Sequence, residues 1–188
     1  MELLVLLLVL TAVVMLPLAW VTTIYNKLIR LRQHVRESWS GIEVEMKRRY
    51  DLIPNLVATV KGYAAHERET LELVTRLRDQ ALANHGSAES QANDEGALLL
   101  GLKRLFAVVE NYPQLKADQH FLILQKQLAL TEDRIAAARR FYNGNTRELN
   151  QLCEMFPTSL IANWFGFQRG SYFELPSDAE RVVPHVAL

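Results

Sequence analysis

The sequence predicts an all-α fold: an antiparallel four-helix bundle of long helices, preceded by a single N-terminal transmembrane helix continuous with the first bundle helix. Three observations predict it. The 24 residues from Leu3 to Asn26 carry no charge, and eight of them are leucine and five valine. Beyond them, apolar residues recur at steps of three or four in each long segment, which is the spacing of one helix face. No stretch of the 188 residues shows sustained alternation at period two, the pattern of a half-buried strand.

The first element, residues 1–26, reads as a membrane anchor. At about 1.5 Å per residue an uncharged run of this length crosses the roughly 30 Å hydrocarbon core of a bilayer. A buried helix of a soluble core is usually shorter and carries a polar stripe, whereas here Thr11 is the only polar residue before Thr22. Pro17 is tolerable if Thr11 and Thr22 help satisfy the backbone groups it frees. A cleaved signal peptide is the competing reading. Against it stand the absence of a basic stretch before Leu3, the length of the apolar run, and the poor cleavage site at Pro17-Leu18-Ala19-Trp20. Glu2 alone precedes the run, while Lys27, Arg30, Arg32 and Arg36 follow it before the first acid, Glu37. The positive-inside rule then places the C-terminal domain in the cytoplasm. Trp20 and Tyr25 stand where an interfacial aromatic pair would.

About 160 residues remain for one domain with a substantial core. Lys plus Arg and Asp plus Glu both total 21, so no global charge points to nucleic acid or to acidic substrates. The single cysteine, Cys153, excludes an intramolecular disulfide and a multi-cysteine metal site, and its apolar spacing reads as a small buried thiol.

The bundle, residues 27–173, opens with a stripe of Leu28, Leu31, Val35, Trp39, Ile42 and Met46, with Glu43–Lys47 and Glu45–Arg49 as i,i+4 pairs on the exposed side. No breaker separates this helix from the apolar run. Pro54 interrupts the pattern at Asp51-Leu52-Ile53-Pro54, leaving a kink or a turn into a new helix; a short break is the favoured outcome. The stripe resumes at Leu56, Val60, Tyr63, Leu71, Val74 and Leu77. From Asn84 to Gly96 no large apolar residue occurs, and an exposed loop is expected there. A third helix follows on Leu98, Leu102, Leu105, Phe106 and Val109, ended by Asn111-Tyr112-Pro113. Asp118 caps a long fourth helix whose inner face is Phe121, Leu124, Leu128, Ile135, Ala138, Tyr142, Leu149 and Leu152, stopped by Pro157. The aromatic-rich segment from Leu160 to Phe173 reads as a plug for one end of the bundle, with partner binding as the alternative. Residues 174–188, with Pro176 and Pro184, form a polar tail.

Five blocks carry a family resemblance: KRRYDLIPNLV at Lys47–Val57, AHE at Ala65–Glu67, NYPQLKA at Asn111–Ala117, TEDRIAAARRFYN at Thr131–Asn143 and FPTSLIA at Phe156–Ala162. In this order behind one N-terminal span, they resemble the LemA family of bacterial membrane proteins. The departures are the Gly-Asn after Asn143 and the segment around Asn84. The resemblance implies a bundle of long antiparallel helices and no established biochemical activity, so no catalytic residue carries over. Family members include a protein needed for magnetosome formation, and their genes often neighbour those of membrane zinc metallopeptidases. Both imply a scaffold or accessory role, with such a metallopeptidase as one partner and homo-oligomerisation as another form of association.

The candidate polar site comprises Arg48, Arg49, Asp51 and Asn55 on one side and Arg139, Arg140 and Asn143 on the other. In an antiparallel pair of helices these groups would meet as a hydrogen-bonded network, since desolvated guanidinium forks and carboxylates need each other. Solvated helix faces, or a surface for an acidic partner or lipid head groups, are the alternatives. His66-Glu67 opens like a zinc-protease motif, but Thr70 stands where the second histidine is required. His34, His85, His120 and His185 lack ligand spacing. No phosphate-binding loop or nucleophile elbow is present, and Lys47-Arg48-Arg49-Tyr50 is too short a basic cluster for nucleic acid. The expectation is therefore a membrane-anchored scaffold or adaptor, not an enzyme and without a cofactor, acting through protein–protein contacts or oligomerisation. The alternative is a lipid-organising or membrane-remodelling protein.

Overall fold

The structure, a computed structural model, describes residues 1–176; the tail beyond, with Pro184 and His185, lies outside the described residues. Six helices and no strand occur among the described residues: α1 (Glu2–Tyr63), α2 (Arg68–Ala83), α3 (Ala88–Val109), α4 (Pro113–Lys116), α5 (Gln119–Glu154) and α6 (Thr158–Trp164). The described chain forms two compact units, one of residues 1–38 and 144–170, the other of residues 39–143 and 171–176.

The apolar run and the first predicted stripe form one uninterrupted helix, α1. It is long and apolar enough to cross a membrane by length and composition, and none of the described residues covers its most apolar window. A core helix would be covered. Pro17 is accommodated otherwise than expected. Thr11 donates to the carbonyls of Leu7 and Leu8, and Thr22 to that of Leu18, so neither hydroxyl serves the Val13 carbonyl that the proline leaves without its usual donor.

Pro54 does not break the chain; α1 runs through it to Tyr63, and the turn comes at Ala64–Glu67. The carbonyl four residues before Pro54 belongs to Tyr50, and Arg78 Nε on α2 donates to it at 3.2 Å. A tertiary donor thus replaces the missing amide, and continuation costs less than a break would.

The expected loop at Asn84–Gly96 is also corrected, because α3 starts at Ala88 and only four residues, Asn84–Ser87, separate it from α2. Ser87 caps the helix by accepting from the Ser90 amide. Gln91, Ala92, Glu95 and Gly96 are buried. The segment lacks large apolar residues because its inner face packs polar and small side chains, not because it is solvated.

In the unit of residues 1–38 and 144–170, the core is Leu28, Leu31, Leu149, Ile161, Ala162 and Phe167. Gly166 ends α6 with φ +70°, a conformation that favours glycine. Its amide bonds the Asn163 carbonyl at 3.3 Å and the Phe167 amide bonds the Ala162 carbonyl at 2.9 Å. This paired closure turns the chain so that Phe167 packs back onto the core. Asn150 on α5 then brackets Gly170, donating to its carbonyl at 3.0 Å and accepting from its amide at 2.8 Å.

In the second unit, the α1 stripe continues with Ile42, Met46, Ile53, Leu56 and Val60 buried. The inner faces of α3 and α5 follow the predicted stripes, with Leu98, Leu102, Leu105, Phe121, Leu128 and Ile135 buried. Helices α2 and α3 approach closely: a Cβ on Gly101 would meet Leu77 Cδ1 at 2.8 Å. Asp118 caps α5 through the Phe121 amide at 2.9 Å, as predicted. That hydrogen bond, foremost, holds its carboxyl below the usual aspartate value.

Candidate functional site

The most concentrated chemistry lies inside the second unit. Arg49 and Tyr50 are consecutive on α1, yet both turn inward, and Arg49 is 1% exposed. The guanidinium is held by Glu95 of α3 through Nη2 and by Glu132 of α5 through Nη1, the latter at 2.6 Å. Glu95 is itself 1% exposed and also accepts from the Tyr50 hydroxyl. Gln91, one turn before Glu95 on α3, donates to Glu95 Oε1 at 3.1 Å, to the Tyr50 oxygen at 3.2 Å and to the Ala81 carbonyl at 3.0 Å. Burial pushes the Tyr50 phenol above its ordinary value against the opposing effect of Arg49, so Tyr50 stays protonated and serves as a donor.

One cation therefore faces two carboxylates, Glu95 Oε2 meeting Arg49 Nη2 and Glu132 Oε2 meeting Nη1, while the buried Arg49 Nε has no hydrogen-bond partner among the described residues. Burying charge in this way is tolerable only when geometry and further hydrogen bonds satisfy the groups. The expected Glu45–Arg49 surface pair does not form because Arg49 faces the core; Glu45 pairs instead with Arg48, at 3.3 Å.

Of the seven residues expected to make a network or binding surface, Arg49 sits in this cluster. Arg48, Asp51, Asn55 and Arg140 are exposed. Arg139 is half-buried on α5. Asn143 is half-buried and brackets Phe173, donating to its carbonyl at 3.0 Å and accepting from its amide at 2.9 Å. Sequence reasoning missed Glu95, Gln91 and Glu132. The signal was present: the stripe Leu98–Leu102–Leu105 continued backwards at the same steps lands on Glu95 and Gln91.

A cavity of about 260 Å³ adjoins the cluster, lined among others by Trp39, Met46, Tyr50, His85 and Gln91. An open groove of about 630 Å³ lies along Val57, Lys61, Arg68, Glu72 and Arg76, and its charges are of both signs. No group of three or more His, Cys, Asp or Glu side chains is placed to hold a metal ion among the described residues. His66-Glu67 lies in the turn between α1 and α2, where Glu67 accepts from the Tyr112 hydroxyl at 3.3 Å. Burial raises the Cys153 thiol above its ordinary value, which makes it a poor nucleophile.

The aromatic segment divides. Phe167 is buried beneath Tyr25 and Arg32, with ring centroids of Tyr25 and Phe167 5.9 Å apart and the Arg32 guanidinium 5.2 Å from the ring. Phe173 is buried against Trp39, at 5.8 Å. Trp164, Phe165 and Leu160 are exposed.

Comparison with known proteins places these features in a family. The sequence profile of the LemA family matches residues 38–188. Magnetosome protein MamQ of Magnetospirillum gryphiswaldense is 27% identical over 89% of this chain and 73% of its own length. Magnetosome protein MamQ 2 of Paramagnetospirillum magneticum is 28% identical over 80% of this chain, which spans 64% of that relative's own length. Protein LemA of Metamycoplasma hominis is 27% identical over 84% of this chain and 71% of its own length.

Proposed function

The chain belongs to the LemA family, and from that premise we propose that it is a single-pass membrane-anchored scaffold or adaptor that acts by binding other proteins or further copies of itself. The observation that carries the reading is the closed charge cluster at Arg49, Glu95 and Glu132, whose ionic groups are spent on one another. A core that consumes its own carboxylates supports a rigid body and leaves recognition to the outer faces.

In this reading Glu2–Asn26 spans the inner membrane of a bacterial cell, and the basic residues from Lys27 to Arg36 keep the helical body on the cytoplasmic side. Within residues 39–143, α1, α2, α3 and α5 pack as an antiparallel four-helix bundle. The buried stripes on these helices and the bonds from Arg49 to α3 and α5 support that packing. The body carries no catalysis of its own.

Crosslinking in intact cells, followed by purification of the full chain in detergent, tests the proposal. A stoichiometric partner, with a membrane zinc metallopeptidase as one candidate class, or a defined homo-oligomer is expected. A monomer without partners overturns it, and salt-sensitive vesicle reshaping by that monomer would favour the lipid-organising alternative.

A further inference from the structure

We infer that α6 and the residues just before it form a second membrane contact, a short amphipathic element lying in the head-group layer beside the end of the α1 span. The inference rests on the reading of Glu2–Asn26 as a membrane span.

Two faces of this element are distinguishable. Ile161 and Ala162 point into the core of their unit, with Phe167 folded back beside them by the turn at Gly166. The other face is apolar and bare: Trp164 is 87% exposed, Phe156 80% and Leu160 61%. A water-facing helix rarely carries side chains of this size so fully uncovered and so close together.

The position of the element identifies what covers it. The Phe165 ring packs at a tilt of 58° against Tyr25 of α1 with centroids 4.8 Å apart. Tyr25 is the last aromatic of the uncharged run, and Lys27, two residues on, is the first charge after it. That contact holds the end of α6 at the level where the apolar run ends. Both residues belong to the same compact unit. Aromatic side chains concentrate at this depth of a bilayer, where a ring rests on acyl chains and its polar edge on water. An amphipathic helix there sinks its apolar face about 5–10 Å below the head groups. A lipid surface beginning at Asn26 would therefore meet Trp164, Phe156 and Leu160 without any movement of the fold.

The test uses the three tryptophans, Trp20, Trp39 and Trp164. Full-length chains that keep one tryptophan each, the others changed to phenylalanine, are reconstituted into phosphatidylcholine–phosphatidylglycerol vesicles with bromine on the acyl chains near the head groups. Trp164 should emit at shorter wavelength than in water and lose most of its emission to the brominated lipid. Trp20 should be quenched as well, and Trp39 should not. Phe156→Ser with Leu160→Ser should weaken the quenching of Trp164, leaving that of Trp20 and the helical circular dichroism unchanged. If Trp20 is quenched while Trp164 stays open to aqueous acrylamide, the span stands and the second contact is refuted. If Trp164 is shielded from both quenchers, a protein surface covers it and the inference is equally refuted. If neither Trp20 nor Trp164 responds to the brominated lipid, the membrane span itself is refuted.

Discussion

The two compact units solve the same packing problem with opposite chemistry. In the unit of residues 39–143 the centre holds Arg49, Glu95, Gln91 and Tyr50, all buried, and Glu132 closes the ring of charge from α5. In the unit that contains α6 the centre is leucine, isoleucine, alanine and phenylalanine, and its buried polar side chains are uncharged: Ser38, Thr146 and Asn150, the last clasping backbone. The difference concerns specificity. Apolar side chains accept neighbours of many shapes, whereas a buried guanidinium accepts few arrangements because each misplacement leaves a charge uncompensated. The polar centre should therefore fail sharply, and the apolar one by degrees.

The largest effect is expected from Arg49→Met. It leaves Glu95 buried without its cation and should cost about 4 kcal/mol, read as a lowered urea midpoint of the full chain in detergent. Adding Glu95→Leu should recover part of that loss, since removing both charges removes the uncompensated one. If the double variant is no more stable than Arg49→Met, the contrast between the two centres is wrong. Phe167→Ala empties the apolar centre and should cost about 3 kcal/mol in the same measurement. A gradual broadening of the transition is expected there, with no rescue by a second substitution.

Asn150→Ala removes both bonds to Gly170 and should cost about 2 kcal/mol. Proteolysis between Phe167 and Ser171 should accelerate, and an unchanged cleavage rate would show that packing alone holds the segment. The smallest effect is at Asp118, a charge in the same unit as Arg49 but at the surface. Its folded carboxyl titrates below the ordinary 3.8, so its contribution is present above that value and lost as pH falls through the folded value. The Phe121 amide resonance should shift with that protonation and be flat at neutral pH. A midpoint above 3.8 for the Asp118 side-chain carboxyl carbon resonance would contradict the assigned direction.

How much of this was legible depended on range. The stripe from Leu28 to Met46 and the inner face of α5 were readable because apolar spacing and helix pitch are both local. So was the Asp118 cap, three residues from its donor. Pro54 misled because its compensation comes from Arg78, 28 residues from the carbonyl it serves. The segment Asn84–Gly96 misled because composition was taken for exposure. Of the candidate polar residues, Arg49 was visible as a charge beside Tyr50, but its partners lie on helices whose facing could not be read.

The sequence by itself determined the all-helical class, the long uncharged start of α1 and the family, because each follows from residues near one another or from order along the chain. Only the tertiary structure decided that Arg49 turns inward, that Glu95 is a core residue and that Pro54 stays inside a helix. Burying a charge, or holding a proline inside a helix, is unfavourable until a distant group compensates it, and folding alone brings that group near.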